Sequence, residues 1–204
     1  MNRALIKEEA KGIVKGKLWE FWKPALAIYG ICFIVGFIFA FVGAAKEEYA
    51  SLVETIVSIA AMPASLGLLA YYMKIIRKQE YGMNELTKWY KYFGSVFFLF
   101  FTISLFTSLW ALLFIIPGII AAISYQMAPY IYIDGTHDAL ESIKKSKEMM
   151  KGYKADYFVF MLSFLGWILL GVLTLGILYI WLYPYMETAK ILYYEKLKEI
   201  KSSN

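Results

Sequence analysis

The chain has 204 residues, 60% of them apolar and only 18% charged, with 21 Lys and Arg against 16 Asp and Glu for a net charge of +5. Soluble domains run nearer about 45–50% apolar and ~25% charged, and a 23.5 kDa globule leaves too much of its surface wet to hide the excess. An ordinary soluble enzyme, a disordered chain and a disulfide scaffold are thereby excluded, and the lone Cys32 can form neither an internal disulfide nor a multi-cysteine metal site.

Residues 1–22 place Ile6, Ala10, Ile13, Val14, Leu18 and Phe21 at three- and four-residue steps, with Lys7, Lys11 and Lys15 on another face. This periodicity predicts an amphipathic helix. It either lies on the inner leaflet, with Trp19 and Trp22 at headgroup level, or serves as a linker helix. Residues 24–45 then carry no charge, which is about 33 Å of helix and enough to span a bilayer. The charged stretch before this run is too long for a signal peptide, so no cleavage is expected. Gly36, Ala40 and Ala44 form a small-residue stripe suited to close helix packing.

Further spans are expected over 52–73, 93–116, 118–133, 157–173 and 177–194. Ser51 and Glu54 have capping-box spacing at the start of the second span. Pro117-Gly118 is expected to break the third span from the fourth, and Thr174-Leu175-Gly176 to turn the fifth into the sixth. Asp138 and Glu141 have N-cap and N3 spacing for a helix that Gly152 would stop, and Glu141 and Lys145 form a favourable i,i+4 pair.

The basic residues alternate with the spans. Segments 1–23, 74–92 and 134–156 hold six, five and five of them, the tail from Lys190 holds four, and the other loops hold Lys46 alone. The positive-inside rule turns this into six spans with both termini cytoplasmic, a multi-pass protein of the cell membrane forming one integral domain over 1–204. The whole is an all-α polytopic membrane fold.

Three of the five prolines, Pro63, Pro129 and Pro184, fall in even-numbered spans, each followed by a basic cluster. The stretches VKGKLWEFW (14–22), MKGYKADYF (150–158) and, more loosely, LTKWYKYF (86–93) precede odd-numbered spans. The unit reads as cytoplasmic helix, span out, and span back with a proline, repeated three times.

The stretches IPGIIAAISYQMAPYIYID (115–133) and ALESIKKSKEMMKGYKADYF (139–158) carry a Pro-Gly turn, an Ala-Pro-Tyr element and a Ser-Lys-x-x-Met-Lys-Gly helix end. Together they resemble the signature of a bacterial membrane family known as domain of unknown function nine-seven-five, with the likeness extending over most of the chain. A looser likeness is to the membrane domain of some glycerophosphodiester phosphodiesterases. The resemblance implies an integral membrane protein with no established activity, and it supplies no catalytic residue.

Little in the residues points to chemistry. His137 stands between Asp134 and Asp138, but zinc sites normally use more nitrogen or sulfur ligands. Ser142-x-x-Lys145 lacks the partner motifs of a serine enzyme, and no phosphate-loop, zinc-protease or nucleophile-elbow motif occurs. No enzyme activity, cofactor or metal is expected, and no nucleic-acid partner. Ionisable groups inside apolar runs are functional candidates by default. Glu187 is the foremost: a buried pair with Lys190, an interfacial residue near headgroups, or a transport group. Gln126, with Ser124 and Tyr125, and Ser65 are further intramembrane polar candidates. Pro63, Pro117, Pro129 and Pro184 mark helix breaks.

Two function classes follow. One is a non-enzymatic scaffold or accessory protein that engages anionic inner-leaflet lipids, a second copy of itself or another membrane protein. The other is a small transporter or permease component, which requires a polar cavity converging on Glu187, Gln126 and Ser65.

Overall fold

The computed structural model describes residues 1–41 and 47–202, and among these every regular element is helical. Ala44, the end of the small-residue stripe, and Lys46 lie outside the described residues. Helix α1 spans Arg3–Val14 and begins where the Asn2 side chain accepts a hydrogen bond from the Leu5 N–H at 3.2 Å. It ends before Gly16, whose φ of +80° a side chain would oppose. Helix α2, Leu18–Phe41, leads away, and α3, Glu47–Ile76, returns against it. Because α3 starts at Glu47, Ser51 and Glu54 lie inside a helix and do not cap one. The hairpin is tied at its base by the Tyr72 hydroxyl, which donates to the Phe21 carbonyl at 2.8 Å.

The second unit opens with α4, Glu85–Lys88, and a 3₁₀ turn, Trp89–Tyr92. Helix α5, Phe93–Leu113, leads out and α6, Ile115–Tyr125, returns. The break falls at Phe114, in extended backbone, and not at Pro117-Gly118 as the sequence predicts. The reason is positional. Pro117 sits in the first turn of α6, where no intrahelical N–H is needed, so the proline helps start the helix. Gly118 then lets α6 touch α5, since a Cβ there would lie 2.7 Å from Ala111 Cα. The return continues through α7, Ala128–Ile131, and a π-turn over Tyr132–Thr136 closed by Gly135 at φ +115°.

The third unit begins with α8, Ala139–Met149, capped as expected by Asp138, whose carboxylate accepts from the Glu141 N–H at 2.7 Å. Glu141 and Lys145 pair at 2.7 Å, with both side chains about half exposed. Helices α9, Lys154–Leu162, and α10, Leu165–Leu173, lead out, and α11, Tyr179–Ser202, returns. The turn falls at Thr174–Gly176 as expected, with Leu175 and Gly176 at φ +52° and +89°. The Tyr179 hydroxyl donates to the Ile168 carbonyl across this hairpin.

Among the described residues, five stretches are long and apolar enough to cross a membrane: Leu18–Phe39, Ser51–Ile76, Glu85–Leu113, Ile115–Thr136 and Lys154–Leu173. The expected sixth span, 177–194, is not among them. Its helix, α11, is apolar only at its start and then carries Glu187, Lys190, Glu195 and Lys196. The chain is therefore an all-α polytopic membrane protein whose last returning helix is charged through its second half.

The three units pack in one pattern. Each amphipathic helix docks on a returning helix: α4 on α3, α8 on α7, and α1 on α11. The last contact joins first unit to third and closes the arrangement. Arg3 reaches Asp156 of α9 at 3.6 Å. Lys196 meets Glu9 at 2.8 Å, so α1 and the C-terminal half of α11 lie side by side. Ile6, Ala10 and Val14 are buried in that contact. The apolar stripe of α1 is thus spent on protein, which favours the linker-helix reading over a helix lying on lipid.

Candidate functional site: a charged junction beneath the returning helices

Arg77 follows the end of α3, Asp134 lies in the turn after α7, and Glu195 lies on α11. The Arg77 guanidinium holds the Asp134 carboxylate at 2.7 and 2.9 Å. It holds the Glu195 carboxylate at 2.6 and 2.8 Å. One planar fork thus binds carboxylates from two other units, a geometry lysine cannot supply. The Tyr194 hydroxyl donates to Asp134 at 2.9 Å, and Lys198 adds a contact to the same carboxylate. Burial disfavours the Arg77 charge, but its hydrogen bonds to Asp134 and Glu195 outweigh that and raise its pKa.

Higher on α11, Lys190 and Glu187 pair at 2.7 Å with side chains 18% and 19% exposed. Of the three readings of Glu187, the geometry matches the largely buried pair. Glu187 lies within electrostatic reach of the hydroxyls of Tyr72, Tyr130, Tyr157 and Tyr183. These tyrosines come from the returning helices α3, α7 and α11 and from α9, and they belong to or pack against one apolar core.

The other intramembrane candidates do not join it. Ser65 is exposed, and its hydroxyl donates to the Met62 carbonyl one turn back. Gln126 sits at the half-buried step between α6 and α7. That step is organised by a residue the sequence reading did not single out. The buried Ser146 hydroxyl of α8 donates to the Ser124 carbonyl at 2.7 Å and accepts from the Met127 N–H at 3.1 Å. It occupies backbone groups left without helical partners where the helix breaks before Pro129. Pro63 and Pro184 lie inside α3 and α11, which run on through them.

His137 stacks on Tyr92, with ring centres 5.2 Å apart, and lies 5.7 Å from Trp89. The Arg77–Asp134–Glu195 junction was also missed from sequence. A faint signal exists in the tyrosine pairs Tyr71-Tyr72 and Tyr193-Tyr194 just ahead of the charged ends of α3 and α11. Chemically, the junction is a tie: both of its carboxylates are held by cations.

No curated protein and no solved structure matches the chain, and the looser likeness to phosphodiesterase membrane domains gains nothing from these comparisons. A family model described as "Protein of unknown function (DUF975)" matches residues 112–201. That stretch runs from the end of α5 through most of α11 and includes Asp134, Ser146, Glu187 and Glu195. Over this region, less than half of the chain, the sequence is similar to the DUF975 family.

Proposed function

We propose that this protein is a non-enzymatic scaffold or accessory protein of the cell membrane, with both termini in the cytoplasm. It acts through its basic face on anionic lipids or on a membrane-protein partner. The observation that carries this reading is the state of the interior polar groups. Glu187 is paired with Lys190, and Asp134 and Glu195 are held by Arg77. Ser65 is exposed and bonds within its own helix, which weighs against a transporter's polar cavity converging on Glu187, Gln126 and Ser65. The orientation draws on the clustering of basic residues at one end of the spans and on the adjacency of α1 and the end of α11.

Glu187→Gln tests this directly. The amide keeps the shape and can still accept from Lys190, but cannot carry a charge. A scaffold folds with it and melts within a few degrees of the parent in detergent. Solute flux by the purified parent in liposomes, abolished in a folded Glu187→Gln variant, would establish a coupled transporter and overturn the scaffold reading.

A further inference from the structure

A cavity of about 270 Å³ opens between the end of α3, the α4–3₁₀ segment and the His137 loop. Lys74, Arg77, Lys88 and Lys91 line it, with Glu85 as the single carboxylate. Glu85 is buried and already engaged, by Lys74 at 2.7 Å and Lys88 at 3.9 Å. Arg77 is matched by Asp134 and Glu195. The surplus positive charge therefore rests on Lys88 and Lys91, both exposed. Trp89 also lines the cavity and is 5% exposed, yet its indole Nε1–H is buried with no hydrogen-bond partner.

An indole N–H and an ammonium can only donate. Apart from Glu85, the charged lining groups and Trp89 are donors, and an anion rich in acceptor oxygens is their complement. The volume falls just below the ~300–1,000 Å³ of drug-sized sites, which suits a compact group. The cavity also lies at the basic ends of two candidate spans, Ser51–Ile76 and Glu85–Leu113, with Tyr90 and Phe93 exposed nearby in the chain, as at a membrane interface.

We propose that this cavity is a phosphate-binding site, taking the phosphate of an anionic phospholipid headgroup or of a soluble phosphate ester, with Trp89 Nε1–H, Lys88 and Lys91 as its donors. This deepens the lipid-binding part of the proposed function and rests on it where the phosphate comes from lipid.

The indole ¹H–¹⁵N resonance of Trp89, assigned by its loss in Trp89→Phe, reports on the site in the full-length protein. Inorganic phosphate is titrated in detergent, and nanodiscs containing phosphatidylglycerol are compared with phosphatidylcholine alone. A saturable shift of that resonance is expected in at least one arm. Response to phosphatidylglycerol alone identifies a headgroup site, and response to free phosphate identifies a soluble ester site. Lys88→Gln with Lys91→Gln should weaken the response about thirtyfold, the loss of two lysine contributions. Lys144→Gln with Lys147→Gln, exposed lysines that do not line the cavity, should leave it unchanged. No shift in either arm, or equal loss in both double variants, would overturn the proposal. The flux assay is blind to this resonance, so failure of the scaffold reading and failure of the site are separate results.

Discussion

Helices α2 and α11 are both 24 residues long and differ in nearly everything else. The first is almost uniformly apolar, yet Ile31, Phe33, Ile34, Phe37 and Ile38 are all exposed. The second carries seven charged residues over its last 16 positions, yet Ala189, Ile191, Leu192, Tyr193 and Tyr194 are buried. In water this would be inverted. In a bilayer lipid tails solvate α2 as well as protein does, so its apolar surface gains little by packing. The structure is therefore specified at the polar end, where buried tyrosines, ion pairs and small-residue contacts lock the three units together.

The sharpest break of that asymmetry is Arg77→Ala. It leaves Asp134 and Glu195 facing one another without the fork between them, although Lys198 still reaches Asp134. Removing one partner of a buried pair costs about 3–5 kcal/mol, and the partial exposure of this junction places the loss near the low end. A large fall in detergent melting temperature is expected. Arg77→Lys, which keeps the charge but not the fork, should fall between the two. A melting temperature equal to the parent's would mean that the junction does not hold the units.

Next in size is Ile191→Ala, at a fully buried position on α11. Loss of the side chain and the cavity left behind cost about 2–5 kcal/mol. Ser146→Ala follows, with a loss of about 1–3 kcal/mol, because the buried Ser124 carbonyl and Met127 N–H lose their shared hydroxyl. Ser146→Thr, which keeps the hydroxyl, should separate the hydrogen bonds from the added bulk: recovery would credit the hydroxyl, and a deeper loss would show that α8 has no room there.

Much of this asymmetry was legible from sequence. The apolar runs, the Asp138 cap, the Thr174–Gly176 turn and the order of elements rest on local patterns that burial and backbone geometry preserve. The break at Phe114 was misplaced because a proline reads the same whether it ends a helix or begins one. The α1 stripe has the same spacing whether it meets lipid or α11. Apart from the tyrosine pairs ahead of it, the junction was not legible. Arg77 and Asp134 are 57 positions apart and Arg77 and Glu195 are 118 apart, so only the closure of the units brings them together. Glu187 drew attention because a carboxylate in an apolar run is locally conspicuous. Arg77 did not, because it sits in a basic loop where its charge looks ordinary.

The smallest expected effect completes the comparison. Ile34→Ala removes the same atoms as Ile191→Ala, again from a 24-residue helix, but Ile34 is 57% exposed. Its side chain faces the surface that lipid or detergent covers, so the apolar transfer term changes little between folded and unfolded protein in the membrane. Alanine is also the better helix former. The net change should stay within about 0.5 kcal/mol, the range of ordinary surface substitutions. The measurement is a pair of melts in the same detergent, with the two isoleucine variants side by side. A cost at Ile34 approaching that at Ile191, and growing with protein concentration, would mean that a second copy of the chain covers α2. The apolar face of the first hairpin would then be an interface, and the contrast between α2 and α11 would belong to the monomer alone.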